Sequence, residues 1–269
     1  MSRYVNFSIF WCFGWVAICL WPAQGVCAEA SRLQRITASQ TLRVCIWPDY
    51  YGITYRNPQT KQLAGIDIDN AKELANDLGV KLQFINSSFA TLTTDLDADA
   101  CDIAMFAIGI TPERQQKLRF TQPYMASDVY GITTLSNRSI KTWADIDKPS
   151  SVVVVAKGTL HEAVMKAKLT QAELRVVDSA RAREEEVQSG RADVFMTDYP
   201  YSRRMLHKSD WARLVSPPST YRITPYAWAM KPGDDAFHER IEKFLEIIKK
   251  DGRLLTHAKR YELEPIVEK

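Results

Sequence analysis

"CDIAMFAIGITPERQQKLRF", Cys101 to Phe120, decides the architecture of this 269-residue chain. Its first part, "CDIAMFAIG", is a short apolar run without alternation, the pattern of a strand buried on both faces. Thr111-Pro112 then marks a turn, and a helix follows. Small Ala107 and Gly109 would let a ligand come close to the backbone, and Arg114 offers a planar fork that matches a carboxylate. Two readings are open at this point. The segment is a seat for a small carboxylic acid, or it is a strand, turn and helix whose arginine faces water.

Working outward, the chain alternates strand and helix. A lead helix (Ala30 to Ala38) precedes the β-rich "TLRVCIW", which Pro48 stops. "GITYRNPQTKQLAGIDID" reads as a hairpin about turn chemistry in "NPQTKQ". "NAKELANDLG" places Ala71, Leu74, Ala75 and Leu78 on one face and ends on Gly79, a suitable helix cap. "KLQFINSS" is the next strand and "FATLTTDLDAD" the next helix. A second set begins near Trp143, with strands "SVVVVAKG", "ELRVVD" and "ADVFMTD" and helices "TLHEAVMKAKL" and "RAREEEVQSG". This rhythm predicts parallel sheets covered on both faces. The chain crosses through "YGITTLSN" and back through "PYAWAMKPGDD", and it ends in two helices separated at Gly252. Two crossings between two α/β lobes describe a hinged clam, whose cleft is a common place for a small ligand.

The first residues bear on compartment. Arg3 is the only charge in positions 1–28, and Phe7 to Trp21 is a nearly unbroken apolar run of 15 residues, shorter than the roughly 20 needed to span a bilayer. Val26 and Ala28 suit cleavage after Ala28, so 1–28 reads as a secretory signal peptide and the mature chain as soluble. The remainder holds 34 basic and 32 acidic residues, scattered, with no basic stripe of the kind nucleic acids require. Of the five cysteines only Cys45 and Cys101 follow the leader. In an oxidising compartment they are a candidate disulfide, with two buried free thiols as the alternative.

The motifs "LAGIDIDNAKELANDLGVKLQF", "CDIAMFAIGITPERQQKLRFTQPY", "VVAKGTLHEAV", "SGRADVFMTD" and "KKDGRLLTHAKRY" together resemble the amino-acid-binding periplasmic proteins of ABC uptake systems. The resemblance implies a two-lobed periplasmic-binding-protein fold, each lobe a mostly parallel sheet flanked by helices, with lobe one at 29–132 plus 226–269 and lobe two at 133–225. It implies a periplasmic monomer that captures an amino acid or related small zwitterion in the cleft, without a cofactor or metal, and presents it to an ABC permease in the inner membrane. Residue by residue, it puts the carboxylate-binding arginine on Arg114 and the small ligand-facing positions on Ala107 and Gly109. The loop whose N–H groups meet the same carboxylate falls on Gly158, Thr159 and Leu160, where a helix N-terminus supplies unpaired donors. The ligand ammonium falls to Asp198, which could also be an ordinary helix N-cap. Aromatic contacts fall to Tyr50 and Phe89.

Departures sharpen the expectation. Family members for polar amino acids often carry Ser or Thr at the small positions, and both hydroxyls are missing here. Phe106, Trp47, Tyr50, Tyr51, Tyr199 and Tyr201 stand near cleft ends of strands and suggest an apolar or aromatic side-chain pocket. "SRLQRITASQTLRV", "DIAM", "ADIDKP" and "MTD" also look like the periplasmic cyclohexadienyl dehydratases, in which a protonated carboxylic acid assists loss of water or hydroxide and carbon dioxide from a dienyl acid. The glutamate of that family falls on Tyr201, whose ordinary pKa near 10 suits it poorly to the task. "LRVC" and "CDIAM" are similar to binding proteins that accompany periplasmic quinoprotein dehydrogenases, although those usually lack the "ITPER" segment. His161, His207, His238 and His257 have no metal spacing, and His161 reads as a helix-surface residue. Asp67 and Asp69 read as one buried support and one N-cap. Glu184 to Glu186 read as a solvated helix face.

Overall fold

The computed structural model describes residues 1, 2, 4 and 31–268. The leader expected at 1–28 therefore lies almost wholly outside the described residues. The unit beginning at Ser31 is treated by itself below. Its first helix, Arg32–Ser39, starts at a capping box in which Ser31 and Gln34 each satisfy the other's backbone N–H. Arg32 is buried under that helix, where its guanidinium donates to the Cys101 carbonyl (3.1 Å) and pairs with Asp99.

Two sheets carry the molecule. The first runs Lys81–Asn86, Thr41–Ile46, Ile103–Gly109, Thr224–Met230, Arg119–Phe120, with Met125–Ser127 also on Thr224–Met230. The second runs Glu173–Val177, Val152–Ala156, Val194–Thr197, Tyr130–Thr134, Ala212–Val215. Only the first three strands of each are parallel. Thr224–Met230 and Tyr130–Thr134 arrive from the opposite sheet and run antiparallel, so each sheet is mixed rather than mostly parallel. The parallel strands are joined by helices and the crossing strands are not, which explains the switch. The chain changes sheets between Ser127 and Tyr130, and again between Val215 and Thr224.

Continuous apolar runs fill the two interiors. All seven residues of Ile103–Gly109 are buried, and Val153, Val155, Val194 and Met196 anchor a separate core around the second sheet. The expected hairpin is a small three-stranded sheet, Asp49–Tyr50, Thr54–Arg56 and Leu63–Ala64. Cys45 and Cys101 are joined as a disulfide, which closes a sequence separation of 56 residues between neighbouring parts of the first sheet. Among the described residues no helix is long and apolar enough to cross a membrane.

Candidate functional site

The strand Ile103–Gly109 ends at the cleft, and its end is unusual. Ala107 sits at φ 49°, a left-handed conformation that costs a non-glycine residue about 1 kcal/mol or more. A buried carboxylate holds it there: Ala107 N–H donates to Asp67 Oδ2 (2.9 Å), and Tyr124 Oη donates to the same oxygen. Trp228 Nε1 donates to Asp67 Oδ1 (2.9 Å). Burial pushes the Asp67 carboxyl up, and these hydrogen bonds oppose the shift. Asp67 is thus the expected buried support. The N-cap expected of one of the pair is not found, because Gly65 caps the helix Ile66–Leu78 while Asp69 accepts from Tyr261 Oη (2.9 Å) and pairs with Arg260.

Arg114 turns back over this strand end. Thr111 caps the single helical turn Pro112–Gln115, accepting from Arg114 N–H (3.2 Å), and Pro112 presets its first position. The guanidinium donates through Nη1 to the Gly109 carbonyl (2.9 Å) and through Nη2 to the Gly158 carbonyl (3.0 Å), so it joins the two sheets' loops. It does not face open water. Burial lowers its pKa to about 10, which leaves it cationic at neutral pH. Gly158 belongs here for a steric reason: it has φ 74°, and a Cβ would lie 2.7 Å from the Ala90 Cα across the cleft.

An aromatic wall stands beside Arg114. Phe89 lies 5.4 Å from the guanidinium carbon, and Trp47 packs against both Phe89 (5.1 Å) and Tyr50 (5.3 Å). Phe106 is buried one layer behind, 5.0 Å from Phe89 and off the cavity wall. Of the other expected aromatics, Tyr201 lines the cavity, whereas Tyr51 packs on Tyr55 and Tyr199 on Tyr130.

The opposite wall comes from the second sheet. Thr159 and Leu160 line the cavity at the start of the helix Leu160–Lys168. Gly158 does not offer its N–H as expected, because Glu162 Oε2 accepts it at 2.6 Å. Asp198 follows the strand Val194–Thr197, caps the next helix and lines the cavity. Its Oδ1 caps the next helix by accepting from Tyr201 N–H (3.1 Å), while Oδ2 accepts from Tyr226 Oη (3.0 Å) and Tyr50 Oη at the cavity. Burial raises its pKa, and the tyrosine hydroxyls oppose the rise.

Besides Tyr226 and Thr197, two charged or titratable wall residues escaped the sequence reading. His161 is buried rather than surface-exposed, and its ring nitrogens make no hydrogen bond of good geometry, although the Thr197 backbone lies close enough to favour the charged ring. Burial, with Arg183 nearby, lowers its pKa to about 3, so the ring is neutral. Arg183 is 2% exposed, donates through Nη1 to the Met196 carbonyl (2.8 Å), and lies against the rings of Phe195 (4.7 Å) and Tyr201 (4.5 Å). Its Nε has no partner. Periodicity held the signal in both cases: Ala180, Arg183 and Val187 share one buried helical stripe, and His161 lies in another with Leu160, Val164 and Met165. Glu184, expected to be solvated, instead accepts from Tyr201 Oη and pairs with Arg204.

The cavity between these walls is narrow, about 20 Å³, room for roughly one water molecule, so a small-molecule ligand enters only when the walls part. Two arginines face one carboxylate that already accepts three hydrogen bonds, so the arrangement favours an anionic group. Among the described residues no group of histidine, cysteine and carboxylate side chains could hold a metal ion.

The chain and its fold match known proteins over most of their length. A cyclohexadienyl dehydratase from Pseudomonas aeruginosa is 32% identical, with 84% of each chain covered. A probable amino-acid ABC transporter-binding protein from Haemophilus influenzae is 28% identical over 82% of this chain and 84% of its own. The crystal structure of an ancestral amino-acid-binding protein, described as a precursor of cyclohexadienyl dehydratase, superposes with a TM-score of 0.79 at 31% identity, covering 86% of this chain and 99% of that one. The model of the bacterial extracellular solute-binding proteins, family 3, matches residues 42–264. By that match and those likenesses, the chain belongs to the bacterial extracellular solute-binding proteins of family 3.

Proposed function

We propose that this protein is a periplasmic, non-enzymatic binding protein that captures an amino acid or closely related small zwitterion and delivers it to an ABC permease of the inner membrane. It works as a monomer after loss of residues 1–28, and its two lobes close about the two chain crossings. The observation that carries the reading is Arg114, a half-buried cation hydrogen-bonded to carbonyls of both lobes beside a helix N-terminus, with Asp198 across the cavity. The ligand carboxylate sits against Arg114 and the first turn of the helix Leu160–Lys168. Its ammonium meets Asp198, with Tyr50 and Tyr226 holding that carboxylate in place. Because the anchors belong to different lobes, a ligand bearing both charges favours the closed form.

A thermal-shift screen against the amino acids and a panel of small organic acids tests this. A ligand present at 100 times its Kd stabilises the folded state by about 2.7 kcal/mol. Arg114→Ala is expected to abolish the response; an undiminished shift in that variant would remove the carboxylate clamp.

The likeness to cyclohexadienyl dehydratase supports a second reading, a lyase in the same cleft. Against it, the position of that family's glutamate carries Tyr201, whose phenol burial pushes up and whose hydroxyl is engaged by Glu184 and Arg204. Incubation with prephenate or arogenate, followed by ultraviolet absorbance, is expected to show no phenylpyruvate or phenylalanine. Turnover lost in Tyr201→Phe would establish the lyase instead.

A further inference from the structure

Buried polar atoms nearly always find a partner, and those that lack one in a cavity wall mark where a ligand can supply it. Among the described residues six buried side-chain nitrogen or oxygen atoms lack a partner, and three of them belong to two cavity residues: Arg183 Nε and both ring nitrogens of His161. Both side chains are more than nine-tenths buried and come from successive helices, Leu160–Lys168 and Ala180–Gln188. Arg114 hydrogen-bonds carbonyls of both lobes, and Asp198 accepts from Tyr50, Tyr226 and Tyr201, so neither shares this deficit.

Charge gives the same answer independently. A ligand with one carboxylate and one ammonium neutralises Arg114 and Asp198 and leaves Arg183 as a buried cation. The carboxylate nearest it in sequence, Glu184, is turned away to Arg204 and Tyr201. Closing the cleft over an uncompensated charge is costly, whereas a second ligand carboxylate compensates it. We propose that Arg183 and His161 form a second acid seat, which accepts a side-chain carboxylate and makes the ligand an acidic amino acid. Arg183 donates through Nε–H and the neutral His161 ring through one N–H, while Phe195 and Tyr201 hold the guanidinium plane. The aromatic wall of Trp47, Tyr50 and Phe89 then packs against the ligand's carbon chain and does not select an aromatic side chain.

This inference rests on the cleft being an amino-acid site, and one titration separates the two. Calorimetry on the purified protein, freed of carried-over ligand, would compare L-aspartate and L-glutamate with L-glutamine, L-arginine, L-phenylalanine and glutarate. Aspartate or glutamate should bind at least tenfold more tightly than the amide, the cation or the aromatic. In Arg183→Met, and more mildly in His161→Leu, the acid-over-amide ratio should fall at least tenfold while glutamine binding changes little. Tightest binding of arginine or phenylalanine overturns the acid seat and keeps the amino-acid reading. Glutarate binding as tightly as glutamate keeps the seat and overturns the ammonium contact at Asp198. Silence from every amino acid overturns both. If either variant fails to fold, the wild-type preference alone still decides.

Discussion

Asp67 and Asp198 are both buried carboxylates at the cleft side of a sheet, and their surroundings differ in an informative way. Asp67 accepts from Ala107 N–H, Tyr124, Trp228 and Asn70, all parts of the unit built on the first sheet. Its two oxygens are fully engaged by groups around one sheet, so it shapes the scaffold. Asp198 takes Tyr201 N–H from its own helix and two hydroxyls from residues of the other sheet's side, Tyr50 and Tyr226. Beside it stand Arg183 and His161 with donors to spare. A closed polar network fixes one conformation, and an open one waits for a ligand.

Substitution by asparagine breaks this comparison most severely. In Asp67→Asn the amide NH2 must oppose N–H donors, Ala107 N–H on one side or Trp228 Nε1–H and Asn70 Nδ2–H on the other, even if the Tyr124 hydroxyl rotates to accept. Leaving such buried donors unsatisfied should cost about 3 kcal/mol in denaturant unfolding. In Asp198→Asn the amide oxygen can keep Tyr201 N–H, and the two tyrosine hydroxyls can rotate to accept. Stability should then fall by about 1 kcal/mol or less, while amino-acid binding weakens through loss of the charge. Equal losses of stability would show that both carboxylates are scaffold.

A pH series probes the open network. The folded His161 pKa of about 3 lies below the unfolded value of 6.5. Between those values the unfolded chain binds a proton that the folded one does not, so this histidine's contribution falls as pH drops through the window. Arg183 and Arg114 both face the ring and oppose its charging. From pH 7 to pH 5 the loss should reach about 2 kcal/mol, and His161→Leu should abolish it. The raised carboxyls of Asp67 and Asp198 act in the opposite direction, so the difference between wild type and variant is the quantity to measure. A flat difference would mean that water reaches the ring.

Much of this molecule could be read before folding, and the pattern of misses has a physical cause. Apolar runs such as "SVVVVAKG" and helical stripes such as Ala71, Leu74 and Ala75 state their burial directly, because hydrophobic periodicity is local. Arg114, Thr159, Leu160 and Asp198 were placed by motif, and the fold gathers them around one cavity. Arg183 and His161 were passed over because charged or titratable residues on a helix default to the solvent face, although their positions in the buried stripes argued otherwise. Phe106 erred the other way: Ala107 beside it lines the cavity, and strand alternation turns the Phe106 ring behind Phe89. Nothing local announced the tyrosine pair on Asp198, since Tyr50 and Tyr226 lie 148 and 28 positions away from it.

The smallest expected effect concerns the strand end that the carboxylates frame. Ala107 holds φ 49° without being glycine, and the Asp67 hydrogen bond to its N–H offsets the strain. Ala107→Gly removes the Cβ penalty and adds freedom to the unfolded chain, two effects of about 1 kcal/mol each with opposite sign. Stability should therefore move by less than about 1 kcal/mol in either direction. Ligand affinity is the sharper readout. If the left-handed turn is fixed by Asp67, glycine keeps the same backbone path and affinity stays within about threefold, a change smaller than 1 kcal/mol. If the Cβ is what holds the turn, glycine loosens the floor beneath Arg114 and affinity falls about tenfold or more, which would move the organising role from the buried carboxylate to the alanine itself.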